Sequence, residues 1–258
     1  MEGDRRWGAR LTVPAAITSE TAVTRSLSMT RILYELHGRD QYRFSPYCWR
    51  TIMALHHKGL EFERIPMKLT DRACIAPSGQ DRVPVLVDDK TWINDSWAIA
   101  CYLEETYGDA PSLFGGAAGQ RLAEFVNRWA DHTDHGALRA IAVPDAWRHI
   151  DPDDREWFRQ SREKMFGRPL ETLRAERDGA LPAFRDALEP ARAVLAAQPY
   201  LSGKAPAYAD YILLGTFMWP RCSSPYPLLD ADDPVHHWRG RMLTLFDAAA
   251  ANAPGYDV

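Results

Sequence analysis

The chain has 258 residues, of which 46% are hydrophobic, so it can form one large or two modest domains with a substantial core. Its net charge of −4 comes from interspersed acidic and basic residues, which argues against a nucleic-acid-binding face and against a charged tail. No run approaches the roughly 18 apolar residues of a membrane span, and the segment before Met29 lacks the apolar middle of a signal peptide, so we expect a cytoplasmic protein.

The segment 1–28 differs in composition from the rest of the chain. It is polar, contains many Ser, Thr and Ala residues, and shows no sustained apolar period. We expect a flexible N-terminal extension, and Met29 is a candidate start of translation. Acidic residues such as Glu2 and Asp4 argue against a mitochondrial leader, because such leaders are poor in acids.

The first predicted unit is a β-α-β arrangement. Residues 31–36 form a short apolar run typical of a strand, and after Ser45 the apolar residues change to helical spacing. Ser45 is a good N-cap and Pro46 a good first helical residue, so we predict a helix from Pro46 to Lys58. Residues 60–65 alternate as in a strand, which gives a parallel pair with the first strand.

A hairpin and a second helix follow. Residues 83–87 and 91–93 are typical of two paired strands, and a helix capped by Asp95-Ser96 comes next. The order β-α-β followed by β-β-α is that of a thioredoxin-like domain with a mixed four-stranded sheet. We assign this domain to residues 29–107.

The second half of the chain is predicted to be all-helical. Residues 108–118 have the Gly and Pro content of a linker, and residues 119–258 lack a convincing strand pattern. We expect five helices. The first carries Leu122, Phe125, Val126 and Trp129 and ends before Pro144, the second starts at Asp151-Pro152, and the third runs from Pro182 to Gln198. The fourth is a buried central helix that runs from Asp210 to Pro220, and the fifth starts at Asp233-Pro234. The predicted fold class is therefore α+β: a thioredoxin-like N-terminal domain followed by an all-α C-terminal domain.

Three features of the first half are chemically specific. A helix N-terminus with the Ser45 hydroxyl favours a negatively charged ligand atom, although Ser45 can also act only as a cap. Pro84 lies inside a predicted strand, and if the Val83-Pro84 bond is cis, the Val83 backbone forms a short recognition edge. The Asp95-Ser96 cap adds a site suited to a carboxylate. Together these features predict a site for a small peptide that bears a thiol or another nucleophile.

These motifs resemble a known family. The similarity is to the glutathione-binding domain of the cytosolic glutathione S-transferases, and it is carried by Ser45, by Arg-Val-Pro-Val-Leu at 82–86 and by Asn-Asp-Ser at 94–96. The segment Ser-Pro-Tyr-Cys-Trp-Arg-Thr, followed by Ala-Leu-His-His-Lys-Gly-Leu, most resembles the branch of bacterial glutathione-dependent β-aryl etherases and related fungal class A transferases. The resemblance covers residues 31–250.

The resemblance implies a homodimeric transferase with glutathione as its co-substrate. Ser45 would donate a hydrogen bond to the glutathione sulfur and lower the thiol pKa, and the thiolate would attack an electrophilic carbon or cleave a β-aryl ether. The residues implied to bind glutathione are Arg82, Val83, Pro84, Asp95 and Ser96. In the family the central helix opens with Ser/Thr-x-x-Asp, and Ala207 replaces the Ser or Thr here. We therefore expect a cap weaker by about 1 kcal/mol, with Asp210 still bound to upstream N–H groups.

Two alternative functions remain open. Cys48 lies three residues after Ser45, where a redox Cys-x-x-Cys motif has its second thiol, so a Cys48-dependent thiol reductase is the first alternative. The second alternative is a non-catalytic protein that binds glutathione and aromatic ligands.

The remaining candidate residues are aromatic, basic or metal-binding in type. Tyr47, Trp129 and Trp157 are candidates for a hydrophobic substrate pocket between the domains, with core packing as the alternative for each tryptophan. Arg50 and Arg139 are expected to be exposed, with contact to glutathione or to a substrate acid as the alternative for each. The cysteines are scattered, and a histidine pair three residues apart has no third ligand nearby in the sequence, so no metal site is predicted.

Overall fold

The computed structural model of this protein describes residues 31–256, apart from the side chains of residues 133–137. The predicted extension at 1–28 lies outside the described residues. None of the helices in the described part of the chain is both long and apolar enough to cross a membrane.

The first half is a mixed sheet with two helices. Its elements are strands β1 (Arg31–Leu36), β2 (Glu63–Met67), β3 (Val85–Asp88) and β4 (Thr91–Asn94), and helices α1 (Pro46–His57) and α2 (Ser96–Thr106). The strand order is β2-β1-β3-β4, in which β1 is parallel to β2 and antiparallel to β3, and β3 is antiparallel to β4. This topology confirms the predicted thioredoxin-like domain.

The second half consists of helices. They are α3 (Ala117–Trp129), α4 (His135–Ala146), α5 (Arg155–Phe166), α6 (Leu170–Ala187), α7 (Glu189–Leu195), α8 (Tyr208–Arg221), α9 (Pro234–Leu243) and the short α10 (Leu245–Ala248). A π-helical segment, Ala130–Asp134, joins α3 to α4, and short 3₁₀ turns precede α5. The all-α second half is thus confirmed.

Several helices and one strand begin or end at other residues than predicted, because they contain prolines at which the prediction placed a boundary. Pro144 and Pro182 lie inside α4 and α6, and Pro220 lies in the last turn of α8. Pro66 lies within β2, which begins and ends later than predicted. A strand at the edge of a sheet has one unpaired side, so it tolerates a residue without an N–H group. A helix packed in a core can likewise absorb the loss of one backbone hydrogen bond.

Helices α1 and α8 join the two domains through one continuous core. Every residue of α1 from Cys48 to Leu55 is buried, and α8 is buried along almost its whole length, as predicted for the central helix. Gly215 of α8 faces the start of α1: a Cβ atom at this position would lie 2.4 Å from the Pro46 carbonyl oxygen. The absence of a side chain therefore lets α8 approach α1 at the residue that follows Ser45.

Arg50 is a second connection between the domains. Its side chain is fully buried, and its guanidinium donates hydrogen bonds to Asn127 Oδ1 and Asp131 Oδ1, both at 2.9 Å. The expectation that Arg50 is exposed is therefore wrong. Its partners lie 77 and 81 residues further along the chain, so no local pattern around α1 indicates them.

Candidate functional site

A cavity of about 540 Å³ lies between the two domains. Its volume falls within the range of roughly 300 to 1,000 Å³ that is usual for small-molecule sites. Ser45, Tyr47 and Val83 line it from the first domain, and Arg139 and Trp157 line it from the helical domain. The cavity therefore brings together predicted residues that are far apart in the sequence.

Ser45 is the N-cap of α1, as predicted. Its Oγ accepts a hydrogen bond from the backbone N–H of Cys48 at 3.3 Å, and Pro46 is the first helical residue. A hydroxyl oxygen that accepts one hydrogen bond can still donate its own proton. Because Ser45 also lines the cavity, this proton is positioned to meet a ligand atom at the positive end of the α1 dipole.

The Val83-Pro84 bond is cis, so the condition stated in the sequence analysis for a recognition edge is met. The pairing of β3 with β1 begins only at Val85, so the Val83 backbone precedes the hydrogen-bonded part of the strand. Val83 and the exposed Arg82 line the cavity, whereas Pro84 is buried. This edge can therefore offer backbone donors and acceptors to an extended ligand.

The Asp95-Ser96 cap differs from the expectation in one respect. Asp95 itself is the N-cap, and its carboxylate accepts the N–H groups of Trp97 at 3.0 Å and Ala98 at 3.1 Å. These N–H groups are therefore occupied and do not await a ligand carboxylate. Ser96 is buried, its carbonyl accepts a hydrogen bond from Tyr208, and neither Asp95 nor Ser96 lines the cavity.

The aromatic candidates divide into two groups. Tyr47 and Trp157 both line the cavity, and Trp157 is 38% exposed. Burial and the nearby Asp131 carboxylate raise the pKa of Tyr47, so its phenol stays protonated at neutral pH. Trp129 is half-buried and does not line the cavity.

One face of α5 was missed by the sequence analysis. Phe158, Arg162 and Met165 line the cavity together with Trp157, at the spacing of one helix face. A helix this rich in charged residues resembles a solvated helix, and no local signal marks Arg162 as different from its neighbours. Arg139 of α4 is exposed, as predicted, and also lines the cavity.

Cys48 lies beneath the site and is buried. Its side chain is 2% exposed, and burial raises the pKa of its thiol to about 12. A protonated, inaccessible thiol is a poor nucleophile, so the geometry disfavours the thiol-reductase alternative.

A metal centre has no support in the described part of the chain. There, no three His, Cys, Asp or Glu side chains come together as a metal ion requires. The lining of the cavity includes hydroxyl, backbone, guanidinium and aromatic groups.

Two protein families match this chain in succession. The N-terminal domain family of glutathione S-transferases matches residues 44–106, and the C-terminal domain family of glutathione S-transferases matches residues 122–238. Together the two matches cover well over half of the chain.

Individual relatives agree with this result. A glutathione S-transferase-like protein of Aspergillus flavus is 30% identical over 138 residues, which are 48% of this chain and 49% of that protein. The alignment thus spans about half the length of the Aspergillus protein. Glutathione S-transferase U28 of Arabidopsis thaliana is 27% identical over 68% of each chain.

Solved structures share the two-domain fold. A glutathione S-transferase of Ceriporiopsis subvermispora in complex with glutathione is 24% identical, with a TM-score of 0.72 over 84% of this chain and 96% of that chain. A glutathione transferase of Phanerochaete chrysosporium is 25% identical, with a TM-score of 0.68 over 85% of this chain and 92% of that chain.

Proposed function

Because this chain belongs to the glutathione S-transferase family, we propose that it is a cytoplasmic glutathione transferase in which Ser45 activates the glutathione thiol. The observation that carries the proposal is the position of Ser45, which caps α1 and lines the cavity between the domains. Glutathione is the co-substrate of the family, and the similar Ceriporiopsis structure contains it. Free thiols, as found for all four cysteines, suit a reducing compartment.

In this proposal glutathione lies along the edge formed by Arg82 and Val83. The backbone of its cysteinyl residue pairs with the Val83 backbone, which Pro84 orients. The exposed Asp95 carboxylate attracts the ligand's ammonium group, and the buried Ser96 supports this end of the site through its carbonyl, which accepts a hydrogen bond from Tyr208. Because Asp95 already accepts two backbone N–H groups, it is held in place for this contact.

The chemical step is nucleophilic attack by a thiolate. A free thiol has a pKa near 8.5, and the Ser45 hydroxyl and the α1 dipole can lower this pKa by one to two units, or about 1.4 to 2.7 kcal/mol. The thiol proton passes to solvent. The thiolate then forms a C–S bond with an electrophilic carbon, and the leaving group departs with the electrons of the broken bond.

Substitution of Ser45 by Ala is expected to remove this activation without preventing binding. The glutathione affinity should change by no more than a few-fold, while the thiolate fraction at pH 7 falls from roughly half towards the few per cent of a free thiol, with the remaining difference due to the α1 dipole. Calorimetry measures the affinity, and the ultraviolet absorbance of the bound thiolate across pH measures its pKa.

Cys48→Ala is the matched control, since it shortens a side chain in the first turn of α1, three residues after Ser45. It should leave the thiolate titration unchanged, because the Cys48 thiol is buried and protonated. Identical titrations for the wild type and Ser45→Ala would contradict the proposed role of Ser45. Bound glutathione with no turnover of any electrophile would favour the non-catalytic alternative.

For the electrophile, we propose β-aryl ethers as the first compounds to test. The support is the resemblance of the sequence from Ser45 through α1 to the etherase branch, together with the aromatic surface of Tyr47 and Trp157 in the cavity. The thiolate would bond to the ether's β-carbon, and the aryloxide would leave with the electrons of the C–O bond and take up a proton. Chromatographic detection of the released phenol tests whether the protein cleaves β-aryl ethers.

We also propose that the protein is a homodimer. Its family forms dimers, and α3 exposes two large apolar side chains, Leu122 at 68% and Phe125 at 70%. Exposed apolar side chains three residues apart on one helix form a patch that a second copy can bury.

The double substitution Leu122→Asp and Phe125→Asp is expected to convert a dimer into a monomer, because charges cannot be buried there without partners. Sedimentation velocity measures the change. Val194→Asp is the control, since Val194 is also exposed, at 39%, but lies on α7. A wild-type monomer, or a double variant that stays dimeric, would argue against this interface.

A further inference from the structure

The helical-domain wall of the cavity carries two arginines, Arg139 on α4 and Arg162 on α5. Within the described residues, neither guanidinium forms an ion pair with a carboxylate. Arg162 donates a hydrogen bond to Ser161 Oγ at 3.1 Å, and its guanidinium carbon lies 4.9 Å from the centre of the Phe158 ring. These contacts fix the position of the Arg162 side chain and leave its charge unpaired.

Each of the other cations that line the cavity has a carboxylate partner. Lys68 forms an ion pair with Asp151 at 3.2 Å, and Arg72 and Arg82 share Asp81. Asp71, which lines the first-domain side, is exposed to solvent. Among the described residues, the cavity cations without a carboxylate partner are therefore Arg139 and Arg162, both on the helical-domain wall.

The positive charges of Arg139 and Arg162 also repel each other. Burial and the charge of Arg139 lower the pKa of Arg162, but an arginine stays protonated at any physiological pH. The proximity of these like charges, of which only that of Arg162 is half-buried, raises the free energy of the empty site, and a bound anion would offset the repulsion. A planar guanidinium matches the two oxygens of a carboxylate.

We propose that Arg139 and Arg162 bind the carboxylate of an aromatic electrophile, whose ring lies against Trp157. This inference rests on the proposed transferase function and narrows its substrate class from aromatic electrophiles to aromatic carboxylic acids. Arg139 and Arg162 face the cavity from the domain opposite Ser45 and Val83, so they meet the second substrate rather than the glutathione peptide.

The test compares 4-chloro-3,5-dinitrobenzoate with its neutral amide as substrates. With each compound the glutathione thiolate forms a C–S bond at the chlorinated carbon, and chloride leaves with the electrons of the C–Cl bond. After subtraction of the uncatalysed rate, we expect kcat/KM of the wild type to favour the acid by about tenfold or more, as one charge-assisted hydrogen bond provides. The double variant Arg139→Gln and Arg162→Gln should lose this preference and retain turnover of the amide.

Two further variants control for folding and for charge in general. Arg139→Lys with Arg162→Lys keeps both charges and should retain part of the acid preference. Arg148→Gln removes an exposed arginine that does not line the cavity and should leave the preference unchanged. If the Gln double variant instead raises the KM for glutathione with the amide substrate, the arginines bind glutathione and the inference is wrong.

A binding measurement separates this inference from the proposed function. Calorimetry with the unreactive pair 3,5-dinitrobenzoate and 3,5-dinitrobenzamide needs no catalysis. Turnover of the amide without acid preference would overturn the inference and leave the transferase function intact. Absence of turnover with tighter binding of the acid, lost in the Gln double variant, would overturn the function and support the anion site.

Discussion

Asp210→Ala is expected to lower the free energy of unfolding by about 3 to 5 kcal/mol, because it leaves several buried donors without an acceptor. The carboxylate is fully buried at the start of α8. Its Oδ1 accepts from the Leu201 N–H at 2.7 Å and from the Trp238 indole at 2.9 Å, and its Oδ2 accepts from the Ser202 N–H at 3.1 Å and the Ala207 N–H at 3.2 Å. Urea denaturation followed by circular dichroism measures the loss.

Two variants show whether these hydrogen bonds cause the effect. Asp210→Asn retains one acceptor oxygen and should lie between the wild type and Asp210→Ala. Asp186→Ala removes an exposed aspartate of α6 and should change the free energy of unfolding by less than about 0.5 kcal/mol. If Asp210→Ala changed the free energy of unfolding as little as Asp186→Ala, water would have to replace the carboxylate as the hydrogen-bond acceptor in the core.

Asp210 also illustrates what the sequence can and cannot predict. Its contact with the Ala207 N–H follows from the spacing of a helix cap and was predicted, as was the Ser45 cap, and the consequence of a cis bond before Pro84 was stated as a condition. All three depend on residues a few positions apart. Its contact with the indole of Trp238 depends on tertiary packing and was not predicted.

The wrong or missing expectations share a cause. Arg50 was expected to be exposed because its buried partners, Asn127 and Asp131, belong to another domain. Arg162 was missed because only the assembled cavity separates it from other charged residues of α5. Helix boundaries were wrongly predicted at the prolines inside α4 and α6, because the local sequence does not show the core that stabilises those helices. The features that were wrong or missing therefore depend on packing between residues far apart in the sequence. The features that were predicted depend on local backbone chemistry.

Gly215→Ala is expected to lower the free energy of unfolding by about 3 kcal/mol and to lower kcat/KM by about 100-fold. The added Cβ would lie 2.4 Å from the Pro46 carbonyl oxygen and 3.1 Å from Arg50 Cγ, and a backbone atom cannot rotate away. We therefore expect helix α1 to move by roughly 1 Å at its first residue, adjacent to Ser45. Urea denaturation measures the stability, and steady-state kinetics with glutathione and the neutral amide of 4-chloro-3,5-dinitrobenzoate measure the activity.

Gly240→Ala is the matched control for this substitution. Gly240 is an exposed glycine of helix α9, and a Cβ there would meet no atom within 4 Å. Alanine should therefore raise the free energy of unfolding by about 0.5 to 1 kcal/mol, because it favours the helix, and leave kcat/KM unchanged. If Gly215→Ala lowered stability but not activity, α8 would have moved in place of α1. A loss of both would mean that the close approach of these helices sets the position of Ser45.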